Sequence, residues 1–162
     1  MRTYLIALSF WLHLLGILIW AGTALIMPLV AWPATLVLDP EHQQRYKDAF
    51  LARLTPWVLR AMILIILSGL FQIYMIYGFG ILLSINTLSL KLLIFILMLI
   101  NSGRGIALRD KLKALRDTGI DTTEGEYLQL KQQEERNQWI QVGLTVLILL
   151  VVGLLTIGIL TI

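Results

Sequence analysis

Four apolar runs dominate this chain, at about residues 4–30, 57–77, 87–101 and 139–160. A hydrocarbon core about 30 Å thick takes roughly 20 apolar residues per helix. Backbone in lipid must satisfy its own hydrogen bonds, so each run is expected to be a helix. Charged residues make up 14% of the 162, against about 25% for an ordinary soluble domain. The predicted fold class is therefore all-α: an integral membrane bundle of four transmembrane helices forming one domain, 1–162. The first run is longer than a signal-peptide core of about 7–15 residues and is expected to be retained as a span.

The links between runs carry the orientation. Arg45, Lys47, Arg53 and Arg60 lie in or beside the first link, and Arg104, Arg109, Lys111, Lys113, Arg116, Lys131 and Arg136 lie in the third. Arg2 stands alone on the opposite side. Positive-inside logic places those two links in the cytoplasm and both termini outside, as in a multi-pass protein of the plasma or inner membrane. The same logic accounts for a sequence pI near 9.4 without nucleic acid as a partner. In the first link, Asp39-Pro40-Glu41 reads as a helix start, and Pro56 is expected to mark the beginning of span two. Glycines at 78 and 80 and the Ser84-Ile85-Asn86 segment punctuate the second link. In the polar segment 102–138, Leu108, Leu112 and Leu115 recur at helical spacing, which predicts a cytoplasmic helical hairpin extending spans three and four. A break near residues 118–122 and a capping box from Thr123 to Glu126 divide it.

Within the spans, ionisable groups are scarce. His13 sits in Trp11-Leu12-His13-Leu14-Leu15-Gly16-Ile17-Leu18-Ile19-Trp20, and Lys91 lies in span three. Polar ionisable side chains in hydrocarbon are costly, which makes them functional-site candidates. His13 falls roughly nine residues into span one, or about 13 Å, and Lys91 about 8 Å into span three. Gln72 lies near the outer end of span two, so the three share the outer half of the bilayer. Gly16, Trp20 and Ala24 follow His13 on one helix face. A glycine there admits either a flat ligand or another backbone, and Trp20 could wall a planar cofactor. Neutral imidazole is a common axial ligand of haem iron. Against this stands a plainer use, in which His13 bonds a neighbouring helix, Lys91 snorkels to the headgroups, and the small residues serve packing.

Other motifs exclude more than they suggest. With no cysteine there is no disulfide, thiolate metal site or thiol nucleophile. His42 reads as a solvated link residue. Trp57 and Trp139 lie where interfacial aromatics are expected. Met27, Met62, Met75 and Met98 form no tight methionine cluster, and methionine in spans usually serves packing. No P-loop, dinucleotide fingerprint or nucleophile elbow is present.

Three short elements resemble the copper resistance protein D superfamily, which includes the HemJ-type protoporphyrinogen oxidases. They are His13-Leu14-Leu15-Gly16 with Trp20-Ala21-Gly22, then Leu67-Ser68-Gly69-Leu70, then Leu90-Lys91-Leu92-Leu93 followed by Asn101-Ser102-Gly103-Arg104. The resemblance covers roughly residues 5–105. It implies a four-helix membrane bundle binding b-type haem, with His13 as axial metal ligand. In the oxidase branch it also implies a second histidine late in span three, where this chain has Asn101, and that weighs against oxidase activity. The expected function is electron transfer or small-gas binding at haem b, with Gly16, Trp20, Gln72 and Lys91 around the cofactor and a redox partner. Lys91 would pair with a propionate or take the sixth position. The alternatives are a haem-dependent oxidase, copper transport through His13 and the methionines, and an accessory subunit without cofactor. Small residues along the spans also allow a homodimer.

Overall fold

The computed structural model describes residues 1–78, 80, 87–118 and 125–156, and these are almost wholly helical. Four long helices carry the fold: α1 (Arg2–Ile26), α2 (Pro40–Gln72), α3 (Thr87–Asp117) and α4 (Gly125–Thr156). With their continuations, the segments Arg2–Val37, Pro40–Ile76, Leu88–Asp117 and Gly125–Leu154 are each long and apolar enough to cross a bilayer. The chain divides into two compact units, Met1–Ser84 and Ile85–Ile162. Each is an antiparallel helical hairpin, α1 on α2 and α3 on α4.

In the first unit the contacts follow one register. Ser9, Gly16 and Trp20 are buried on α1 with His13 half-buried between them, and Ala61, Ile65 and Ser68 are buried on α2. These spacings of three and four residues make the stripe by which two helices pack side by side. The helices approach closely at Gly16. A Cβ there would lie 2.7 Å from Ile65 Cγ1 and 3.0 Å from the Ala61 carbonyl oxygen. At the N-terminal end, Arg2 Nη2 donates to the Met75 carbonyl at 2.6 Å, a cation on the carbonyl end of α2. There a wide turn, Ile73–Tyr77, closes with the Gly78 amide on the Ile73 carbonyl at 2.9 Å. Gly78 then leaves the helix at φ +73°, a conformation that glycine adopts without strain.

The far end of this hairpin is shaped by proline. Pro28 has no N–H to give the Ala24 carbonyl, and α1 continues through a π turn, Met27–Ala31. A short helical stretch follows to Val37, where Thr35 Oγ1 donates to the Trp32 carbonyl and accepts from Gln43 Nε2. Trp32 meets Phe50 of α2 edge-to-face, with centroids 6.3 Å apart. The expected helix start at Asp39 is present, with Pro40 in the first turn. The expectation for Pro56 is corrected: it lies inside α2, which runs unbroken from Pro40. Its position is exposed, so the carbonyl deprived of a partner faces outward, and Thr55 Oγ1 bonds the Leu51 carbonyl beside it.

The second unit shows the extension expected of residues 102–138. Helices α3 and α4 reach into it from either side, α3 as far as Asp117 and α4 from Gly125. Ile94, Met98, Asn101, Gly105, Leu108 and Leu112 form one buried stripe on α3, with Leu115 half-buried beyond them. Arg109 Nε faces Glu134 Oε1 across the seam at 3.3 Å. The Ser84-Ile85-Asn86 segment, the expected cap at Thr123, the break at residues 119–122 and the end of span four at Leu160 lie outside the described residues. On the outward faces Leu18, Leu67, Leu93 and Leu150 stand exposed. Trp57 and Trp139 are exposed, and the Arg60 guanidinium lies 5.0 Å from the Trp57 ring centroid.

Two outcomes follow from these contacts. Gly16→Ala should destabilise the protein by about 1–3 kcal/mol, because the added methyl meets Ile65 and the Ala61 carbonyl. Gly22→Ala, with nothing within 4 Å of its Cβ, should be neutral or stabilising by up to about 1 kcal/mol. Unfolding in mixed micelles measures both, and a Gly16→Ala protein as stable as the native one would refute the close approach.

The Asp39 cap gives a pH dependence. Its carboxylate accepts from the His42 amide at 3.0 Å and faces His42 Nδ1 at 2.7 Å, and the amide bond foremost holds its pKa below the usual carboxylate value. A depressed folded-state pKa means the cap contributes fully above the unfolded value, near 4, and is lost as pH falls through the folded one. Protection of the His42 amide, measured against its intrinsic exchange rate at each pH, should fall in acid, and Asp39→Asn should remove that acid sensitivity.

Candidate functional site

His13 projects from α1 onto the Ser68 turn of α2. Its Nδ1 lies 3.0 Å from Ser68 Oγ and 3.2 Å from the Ile65 carbonyl oxygen. A carbonyl only accepts, and the Ser68 hydroxyl donates to the Leu64 carbonyl, so this pairing calls for a proton on Nδ1. A neutral imidazole with Nδ1–H keeps its basic lone pair on Nε2, the arrangement used when a histidine ligates through Nε2. Gly69 makes room for the ring, since a Cβ there would lie 3.3 Å from His13 Cε1. One turn along each helix, Gln72 Nε2 donates to the Ser9 carbonyl at 3.1 Å. The pairs Ser9–Gln72, His13–Ser68 and Gly16–Ile65 thus form consecutive rungs of one antiparallel seam.

The sequence expectations sort themselves against this geometry. His13, Gly16 and Gln72 do come together, in the α1–α2 seam. Of the two uses expected for Gly16, the structure shows the approach of a backbone. Trp20 is buried on the same face of α1. Lys91 is half-buried on α3, in the second unit. His42 is exposed on its Asp39 cap, as expected. Among the described residues, no three His, Asp or Glu side chains gather as a metal cage.

Ser68 and the Ile65 carbonyl escaped sequence reasoning as partners of His13. Ser68 stood out only within Leu67-Ser68-Gly69-Leu70, and nothing local says which span it faces. A second polar group was also missed. Asn101 Nδ2 donates to the Asn137 carbonyl at 3.0 Å and to Gln141 Oε1 at 2.9 Å, and Asn137 Nδ2 returns a bond to the Asn101 carbonyl at 3.1 Å. The signal available for it was an amide pair one turn apart, Asn137 and Gln141, at the start of an apolar run.

Compared with known proteins, the chain matches no family model, no curated protein and no solved structure.

The tautomer is directly testable. Nitrogen-15 shifts of the His13 ring should report Nδ1–H, and an Nε2–H ring would contradict the seam. Ser68→Ala should keep that tautomer, because the Ile65 carbonyl remains, and should cost about 0.5–1.5 kcal/mol of stability.

Proposed function

We propose that this chain is a four-span protein of the cell membrane that holds haem b through His13. The bias of basic residues toward the α1–α2 and α3–α4 turns supports termini on the outer side. The single observation that carries the haem reading is the anchoring of Nδ1 by Ser68 and the Ile65 carbonyl. A ligating histidine commonly donates its other ring N–H to a carbonyl or comparable acceptor, which sets ring orientation and ligand basicity. On this point the residues present fit the group. The resemblance of the elements around His13, Ser68 and Lys91 to the copper resistance protein D superfamily agrees with it.

In this reading His13 Nε2 would bind the haem iron, while Ser68 and the Ile65 carbonyl would hold the ring and Gly69 would leave space for it. Gly16 and the Gln72–Ser9 bond fix the register that presents the ring. Haem b, when bound, supplies a one-electron couple or an iron site for a small gas. With Asn101 where the oxidase branch implies a histidine, electron transfer or gas binding is preferred to porphyrinogen oxidation.

A second reading is favoured by one specific contact. The Gln72–Ser9 bond is a polar rung of the same kind and needs no cofactor, so His13 can equally serve as interhelical glue in an accessory subunit.

Absorption spectra of the purified protein, oxidised and then reduced, separate the readings. The expected result is a Soret band that His13→Ala abolishes and Ser68→Ala retains, with helix content unchanged in both. A protein from haem-replete cells with no Soret band, or a band that persists in His13→Ala, overturns the proposal. Copper without iron on metal analysis would favour the transport alternative instead.

A further inference from the structure

The polar cluster in the α3–α4 seam contains more hydrogen-bonding capacity than it uses. Asn101 and Asn137 are buried, and Thr145 beyond them is fully enclosed. Asn137 spends Nδ2 on the Asn101 carbonyl, and Gln141 spends Oε1 on Asn101 Nδ2. Their other halves, Asn137 Oδ1 and Gln141 Nε2, are buried and have no hydrogen-bond partner among the described residues. One is an acceptor and the other a donor, one turn apart on the same helix. Exchanging O and N at Asn137 would set two acceptors against each other at the Asn101 carbonyl, so rotating that amide does not resolve the mismatch.

The seam also has a polar end. Arg109 Nε is buried without a hydrogen bond although Glu134 Oε1 lies 3.3 Å away. Arg109 Nη2 and the Asn137 amide converge on Gly105, where a Cβ would meet them at 3.9 and 2.7 Å. The Arg109–Glu134 pair keeps partial solvent exposure. From there to Asn101 is eight residues of α3, about 12 Å along the axis.

An occupant that satisfies these atoms must accept from an amide N–H, donate to an amide oxygen, and be small enough for helices that touch at Gly105. Water meets all three conditions, and buried water typically makes two to four bonds to such groups. We propose that the α3–α4 seam is a water-binding site, in which ordered water accepts from Gln141 Nε2 and donates to Asn137 Oδ1 and is supplied from the Arg109–Glu134 end. The seam then carries a hydrated segment past Asn101 into the apolar part of α4. This assignment concerns the second unit alone and is independent of haem at His13.

Water-edited solid-state NMR on the full, nitrogen-15-labelled chain in lipid vesicles tests it. The side-chain amides of Asn137 and Gln141 should gain magnetisation from water at rates close to those of exposed Gln132 and Gln133, and several-fold faster than the buried Val151 amide. Gln141→Met, which removes the donor, should slow transfer to the Asn137 side chain several-fold while the Asn101–Asn137 bonds persist. Transfer to Asn137 and Gln141 at the Val151 rate in the native chain would overturn the proposal, leaving a dry amide pair that serves helix register alone. The native measurement decides the matter even if the variant fails to fold.

Discussion

The first hairpin depends on the close approach of α1 and α2 at Gly16. Along the same seam, His13 reaches the Ser68 turn and Gln72 reaches the Ser9 carbonyl. The energetic order matters. Interhelical hydrogen bonds in membranes average only about 0.6 kcal/mol, because unassembled spans also find partners for their polar groups. Close packing of small residues is therefore the better candidate for what holds the hairpin. The polar rungs select its register, since sliding by one turn would leave Nδ1 of His13 and the Gln72 amide without these acceptors.

The second hairpin solves the same problem with different side chains. Its seam is a mainly apolar stripe from Ile94 to Leu112, interrupted by Asn101 and flanked by the charged Arg109. The reciprocal Asn101–Asn137 bonds sit within that stripe, much as a single buried asparagine fixes register in a coiled coil. Such a group costs stability relative to a packed leucine and gains alignment in return. The Arg109–Glu134 pair continues the alignment where the seam nears solvent.

Much of this was legible beforehand. Runs of apolar residues announce membrane-length helices because lipid offers the backbone no other partner. Asp39-Pro40-Glu41 announced a helix start because a cap is a local device. Pro56 misled for a physical reason: proline breaks a helix only where the lost bond and the ring clash are not accommodated, and an exposed site accommodates them. The π turn around Pro28 was invisible for the related reason that the helix can widen instead of ending. Ser68 and Asn101 were hidden in a different way. Each looks like an ordinary small or polar residue until the facing helix is known.

By itself, the sequence determined the four long apolar helices found among the described residues, the helix start at Asp39, and the extension of the last two helices into the polar segment as far as Asp117 and from Gly125. These follow from periodicity, length and capping, all of which act within a few residues. Only the tertiary structure decided that Gly16 is a helix contact, that His13 commits Nδ1 to Ser68 and Ile65, and that Asn101 pairs with Asn137. Those facts depend on the register between antiparallel helices. That register is set by contacts between residues 36 to 63 positions apart, which no local pattern encodes.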